Sequence, residues 1–241
     1  MSIQILNEET KEIIRNNIEN IKREIASLSS KNGEVKLLAA TKTVPASVIN
    51  YATRECGISY IGENKVQELL EKYEELDLTN TELHFIGTLQ TNKVKYIIDK
   101  VSLIHSVDSE KLAREIDKQA RKIGKVMDIL VEINIGREEN KSGIDPDKVP
   151  EFLEFLSSLP NVRVRGLMTI APNLGEKELL RNYFRETYSI FIDNSQKKYH
   201  NIDVEILSMG MTDSYVQAIE EGSNMVRIGS GIFGARDYSK K

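Results

Sequence analysis

Lys42 ends an apolar run, "VKLLAAT" (35–41), and is followed at once by Thr43, Val44 and Pro45. An ammonium at the end of a buried run costs free energy unless it is paired or gives up its proton. Such a lysine can pair with a phosphate, act as a general base, or condense with a carbonyl as a Schiff base, and desolvation favours the neutral amine that the last two need. It can also snorkel to solvent or pair with a carboxylate such as Glu63. A second group of residues suits an anion: Ser208 in "SMG" (208–210), and Gly229, Ser230 and Gly231 in "RIGSGIFGAR" (227–236). Glycines admit close backbone approach, and hydroxyls and exposed amides donate to phosphate oxygens. Arg227 lies between apolar Val226 and Ile228, so strand alternation points it away from both. Beside a pyridine nitrogen its fixed positive charge would disfavour protonation of that nitrogen. The alternative is an internal salt bridge.

Elements of a particular kind must carry these residues. Eight short apolar runs, at 35–41, 58–62, 83–87, 102–107, 128–135, 162–170, 203–209 and 225–229, read as strands. Helical patterns begin near Pro45, Asn64, Asn92, Ser109, Asp147, Glu176 and Ser214, several behind capping residues. Before them, Glu8 to Ser29 spaces Ile14, Ile18, Ile21, Ile25 and Leu28 as one apolar stripe, predicting an amphipathic helix. Alternating strands and helices imply parallel pairing, and eight units predict a single α/β domain over 1–241, a closed (β/α)8 TIM barrel with an extra N-terminal helix. Little chain follows the eighth strand, so the N-terminal helix is expected to fill the vacant place in the outer ring. An open doubly wound sheet is the alternative, but a dinucleotide site would want a GxGxxG turn after an early strand, and none follows one here.

A barrel of this kind gathers its chemistry at the C-terminal strand ends, often with a phosphate site after strands seven and eight. Lys42, Ser208, Arg227, Gly229 and Ser230 all fall there. So do Glu63 and Asn64 after the second strand, Asn134 after the fifth, and Met168 and Thr169 near the end of the sixth. His84 and His105 sit within apolar runs and read as hydrogen-bonded core histidines without metal-ligand spacing. The run "EKYEELD" (71–77) and the lysines near Lys93 and Lys197 read as solvated helix faces.

Composition sets the class. The chain has 241 residues, 40% hydrophobic and 29% charged, with a net charge of -4. Without a global basic field, nucleic acid is not an expected partner. Cys56 is the single cysteine, which excludes an intrachain disulfide and a multi-cysteine metal site. The N-terminus lacks the pattern of a signal peptide, and no apolar run approaches about 18 residues, so a cytoplasmic protein without a membrane partner is expected.

The segments "LLAATKTVP", "IGENKVQE", "HFIGTLQTNK", "NKSGI", "RGLMTI" and "LSMGMTDSYVQAIEEGSNMVRIGSGIFGARDY" resemble, in order and along nearly the whole chain, the YggS/PROSC family of pyridoxal 5'-phosphate (PLP) homeostasis proteins. The resemblance implies a barrel like the N-terminal domain of alanine racemase, with PLP as a Schiff base on Lys42. It implies phosphate contacts from Ser208, Gly229 and Ser230, Arg227 at the pyridine nitrogen, and Asn64 and Met168 in the cofactor-binding set. Ser230 replaces a frequent threonine and keeps its hydroxyl, while Leu83 precedes His84 where many members have tryptophan.

The resemblance further implies a protein without established catalytic activity that buffers or delivers PLP, with consequences for vitamin B6 and for amino-acid and keto-acid balance. PLP-dependent apoenzymes would be its recipients, and a monomer is expected. Racemases of similar fold add a second domain carrying a tyrosine base, and this sequence ends before one. A low-activity PLP-dependent amino-acid racemase is the alternative, and a Schiff-base aldolase acting on a sugar phosphate is a third reading.

Overall fold

The apolar stripe of the N-terminal segment folds as α1 (Glu8–Ser27), whose Asn7 cap accepts a hydrogen bond from the Thr10 amide at 2.8 Å. In the computed structural model, which describes residues 6–28, 31, 33–172, 175–197 and 200–234, Ile14, Ile18 and Ile21 are buried along one face. Ser29, the last residue of the predicted helix, lies outside the described residues. Burying each isoleucine contributes about 1.5–3 kcal/mol.

From α1 the chain alternates. It runs through β1 (Lys36–Ala40), α2 (Ala46–Cys56), β2 (Tyr60–Glu63), α3 (Val66–Lys72), β3 (Glu82–Phe85), α4 (Val94–Ile97), β4 (Leu103–Val107) and α5 (Glu110–Lys122). It continues through β5 (Met127–Ile133), α6 (Val149–Ser157), β6 (Val162–Thr169), α7 (Lys177–Ser195), β7 (Ile202–Ser208), α8 (Tyr215–Glu220), β8 (Met225–Ile228) and α9 (Ser230–Phe233). All eight strands are parallel and close in the order β1 to β8, as the eight apolar runs predict. Closure removes every sheet edge.

The ring of helices is completed as expected. The last helix, α9, has four residues, and α1 packs against both it and α2. Asn17 Nδ2 donates to Ile232 O at 3.0 Å, while Lys22 Nζ donates to Cys56 O and Gly57 O at 2.9 and 2.7 Å, carbonyls left open where α2 ends.

Strand alternation divides the side chains. Leu37, Ala39, Ile61, Phe85, Ile129, Val131, Leu207 and Ile228 face the helices in the main core. Inside the barrel lie two small apolar clusters, Leu38 with Ile86 and Met225, and Leu103 with Leu130 and Met168. Near the starts of β5, β6 and β7, Asp128 is bound by Arg163 at 2.6 and 2.8 Å and by Arg165 at 3.1 Å, and Arg165 reaches Glu205 at 2.6 Å. This ionic mesh belongs to the N-terminal end, which leaves the C-terminal end for the site. Among the described residues no helix is long and apolar enough to cross a membrane.

Candidate functional site

The turn after β1 is braced from below. Val44 N donates to Thr41 O at 3.0 Å, closing a tight turn around Lys42 and Thr43. Lys72, in the last turn of α3, places its ammonium under that turn and donates to Thr41 O and Val44 O, both at 3.1 Å. The same ammonium meets Glu63 Oε1 at 2.7 Å, and Thr41 Oγ1 donates to that oxygen at 2.5 Å. Thr43 has φ of 63°, unusual for a β-branched residue, and its amide donates to Glu68 Oε2 at 3.0 Å. Lys42 is half-buried in the middle of this scaffold and makes no hydrogen bond or ion pair with any described residue.

Two expectations change here. Glu63, the carboxylate weighed as a partner for Lys42, belongs to Lys72 and Thr41, because strand alternation turns it outward toward α3. Burial pushes its carboxyl above the ordinary range, against the pull of Lys72. And Lys72, placed by sequence on a solvated helix face, has only 13% of its side chain exposed. Its position in a run of glutamates hides a long stem that lies under the neighbouring turn.

Across the β1–β8 seam, the pairing of Ala39 with Ile228 sets Ala40 opposite Gly229. A Cβ on Gly229 would stand 3.2 Å from Ala40 O, so the two backbones nearly touch. The Gly229–Gly231 turn is thereby the neighbour of the Lys42 turn. Ser230 is exposed, and its hydroxyl donates to Thr212 Oγ1 at 3.1 Å, an oxygen that also accepts from Gly231 N at 3.2 Å. With two bonds accepted, the Thr212 hydroxyl keeps its own proton for another acceptor. On the other side of Lys42, the pairing of Ala40 with Gly62 aligns Lys42 with Asn64, which is half-buried.

Arg227 occupies the barrel interior, 4% exposed. Its Nη1 donates to Ser208 Oγ at 2.7 Å and its Nη2 to Thr169 O at 2.9 Å. Burial lowers its pKa to about 10, partly offset by the charge of Glu132, so it remains a cation at neutral pH. No ion pair is formed with it among the described residues, so its alternative reading as a salt bridge that closes the barrel gives way to hydrogen bonding. Met168 is fully buried and packs on Leu103 and Leu130 beneath the mouth. Its register partners are Glu132 and Ser208.

The seven residues of the expected cofactor-binding set, Lys42, Asn64, Met168, Ser208, Arg227, Gly229 and Ser230, lie toward one end of the barrel. They are not all in mutual contact. Ser208, expected to donate to a phosphate, has its hydroxyl engaged by Arg227 and by His105 Nδ1 at 3.2 Å. Asn134 does not face the site, since its amide clamps the backbone of Glu138 at 2.9 and 3.2 Å. No group of three or more metal-ligating side chains occurs among the described residues.

Residues 12–237 match the family described as alanine racemase, N-terminal domain. The chain belongs to that family. A protein of Aquifex aeolicus named pyridoxal phosphate homeostasis protein is 50% identical over 203 residues, 84% of this chain and 88% of its own. A protein of the same name from Escherichia coli is 38% identical over 237 residues, 95% of this chain and 99% of its own. PipY of Synechococcus elongatus, solved with PLP bound, superposes with a TM-score of 0.80 at 30% identity, covering 92% of this chain and 100% of PipY. The likeness drawn from the motifs is borne out, as is the alanine racemase-like barrel.

In this member of the alanine racemase N-terminal domain family, sequence reasoning missed three residues. Lys72 lies in the run read as a solvated face, and Thr212, although within the long C-terminal segment of the resemblance, was not singled out. Glu132 did carry a signal, an acidic residue inside the apolar run "DILVEINI" in phase with Leu130. It is 7% exposed, and burial, reinforced by Asp108 and opposed by Arg227, raises its pKa to about 7.

Proposed function

We propose that this chain binds PLP through Lys42 and serves as a carrier of the cofactor in vitamin B6 homeostasis. The observation that carries the proposal is the unpartnered amine of Lys42, held on a turn whose Thr41 and Val44 carbonyls, together with the Glu63 carboxylate, are engaged by Lys72. The donor set around it fits the cofactor's parts. Gly229 and Ser230 offer backbone and hydroxyl to a phosphate, Asn64 flanks the lysine, and Met168 supplies an apolar floor. Arg227 would face the pyridine nitrogen, and Ser208 anchors Arg227 from below.

The bound cofactor supplies an electrophilic aldehyde, with which an amine can condense. The residues around it favour holding over turnover. Arg227 puts a buried cation where protonation of a ring nitrogen would cost free energy, which weakens the electron withdrawal that carbanion chemistry needs. The relatives' names as homeostasis proteins support the same reading for this chain. Recipient apoenzymes, a monomeric state and a cytoplasmic location belong to the proposal.

Titration of the protein with PLP, followed by transfer to a PLP-dependent apoenzyme and assays for racemisation, transamination and decarboxylation, tests this function. Saturable binding with delivery, and turnover far below about 1 per second, is expected. Steady turnover at or above that rate would contradict the carrier. One observation favours the second reading, a low-activity racemase: Glu132, with its pKa near neutrality, could exchange a proton in the mouth. Solvent deuterium uptake at the α carbon of candidate amino acids, abolished by Glu132→Gln, would establish that reading.

A further inference from the structure

Besides its two apolar clusters, the barrel interior holds a continuous polar file. Glu82 opens β3 at the N-terminal rim with 56% of its side chain exposed. Its Oε2 lies 3.3 Å from His84 Nε2, and His84 Nδ1 lies 3.0 Å from His105 Nε2. His105 Nδ1 lies 3.2 Å from Ser208 Oγ, which accepts from Arg227 Nη1 at 2.7 Å. The two imidazoles are at most 1% exposed. The file thus runs from solvent at one end of the barrel to the guanidinium at the other.

The direction of each hydrogen bond follows from the groups themselves. A guanidinium has only donors, so Ser208 Oγ accepts from Arg227. The one proton of Ser208 then goes to His105 Nδ1. His105 carries its own proton on Nε2 and donates to His84 Nδ1, and His84 Nε2–H points at the carboxylate of Glu82. Every link has one donor and one acceptor, with both rings neutral. The opposite direction sets a bare His84 Nε2 against the lone pairs of Glu82 unless that ring takes a second proton, which its burial opposes. Lys36 from β1, Tyr60 from β2 and Glu82 from β3 surround His84, while Arg227 from β8 acts on His105 and Glu132 from β5 acts on Arg227. Burial is the largest cause holding both histidines below their ordinary range, His105 well below it.

We propose that His105, backed by His84 and Glu82, is a positioning residue for Arg227: by accepting the Ser208 proton it turns the hydroxyl lone pair toward Nη1 and fixes the guanidinium in the mouth. The consequence for a bound cofactor rests on the PLP reading, whereas the direction of the file does not.

Long-range 1H–15N correlation spectra of the histidine rings in the full-length protein without added cofactor test the file directly, with His200→Gln used for assignment. Between about pH 5.5 and 8.5, His84 and His105 are expected as neutral Nε2–H tautomers that do not titrate. An Nδ1–H tautomer at His105, or titration of either ring near its unperturbed value, would overturn the proposal. Ser208→Ala removes the hydroxyl that joins Arg227 to His105, and it should change the ring signals of His105; unchanged signals would also overturn the proposal. With PLP bound, His105→Leu should move the pH midpoint of the cofactor's absorbance by a unit or more, and His105→Asn, which keeps an acceptor, should move it less. Equal midpoints in all three proteins would show that the file does not act on Arg227. If the wild type binds no PLP, the cofactor reading fails while the tautomers still decide the file.

Discussion

Glu63 immediately precedes Asn64, the residue aligned with Lys42, yet its Oε1 is occupied by Lys72 and Thr41. A lysine engaged by a buried carboxylate would hold its proton and make a poor nucleophile. Removing Lys72 would reverse that economy, because Glu63 would be left buried without compensation. Lys72→Met is therefore expected to lower stability by about 3–5 kcal/mol in urea unfolding, and Glu63→Gln in the same chain to recover much of it. Glu132 makes the other residue-level prediction. Its folded pKa of about 7 lies above the ordinary carboxyl value of 4.5, so the folded state binds more protons between those values. Its contribution is fully present below the unfolded pKa and is lost as pH rises through about 7. Glu132→Gln should therefore gain on the wild type by up to about 3 kcal/mol between pH 5 and 8 in the cofactor-free protein, measured by urea unfolding. A difference that shrinks with rising pH would show that the carboxyl is not held protonated.

Between elements, what matters is that α3 supports the turn after β1. Lys72→Met should therefore slow the capture of PLP several-fold even under conditions where the variant is fully folded, in stopped-flow absorbance. An unchanged rate would leave Lys72 with a role in stability only. The same pair of elements marks the limit of what the sequence conveys. Strands were legible because each apolar run is short and bounded by capping or turn residues, and Lys42 was legible because a lysine interrupts such a run. The brace was not, because Lys72 sits among glutamates where a solvated face has the same composition. Ser208 was placed by its position at the end of the seventh run, and alternation set Arg227 pointing away from Val226 and Ile228. Their bond to each other, and the link through His105 to His84, depends on strands 3, 4, 7 and 8 meeting in the barrel interior, which no local pattern encodes.

For the whole molecule, closure of the barrel places β1 beside β8, and so brings residues nearly two hundred positions apart in the chain to one rim. The short α9 cannot cover that seam alone, and α1 supplies the missing cover. Ile18, 1% exposed on the inner face of α1, should cost about 2–5 kcal/mol when changed to alanine, read by urea unfolding. A loss within about 0.5 kcal/mol would mean that α1 is an appendage to a barrel that is stable without it. The claim on which the functional account turns is that Lys42 is the cofactor's point of attachment. Borohydride reduction of the protein mixed with PLP, followed by peptide mapping, tests it most directly. The account predicts a stable pyridoxyl label on Lys42 that is lost in Lys42→Ala. A label confined to other lysines, or one of equal yield in the variant, would contradict it.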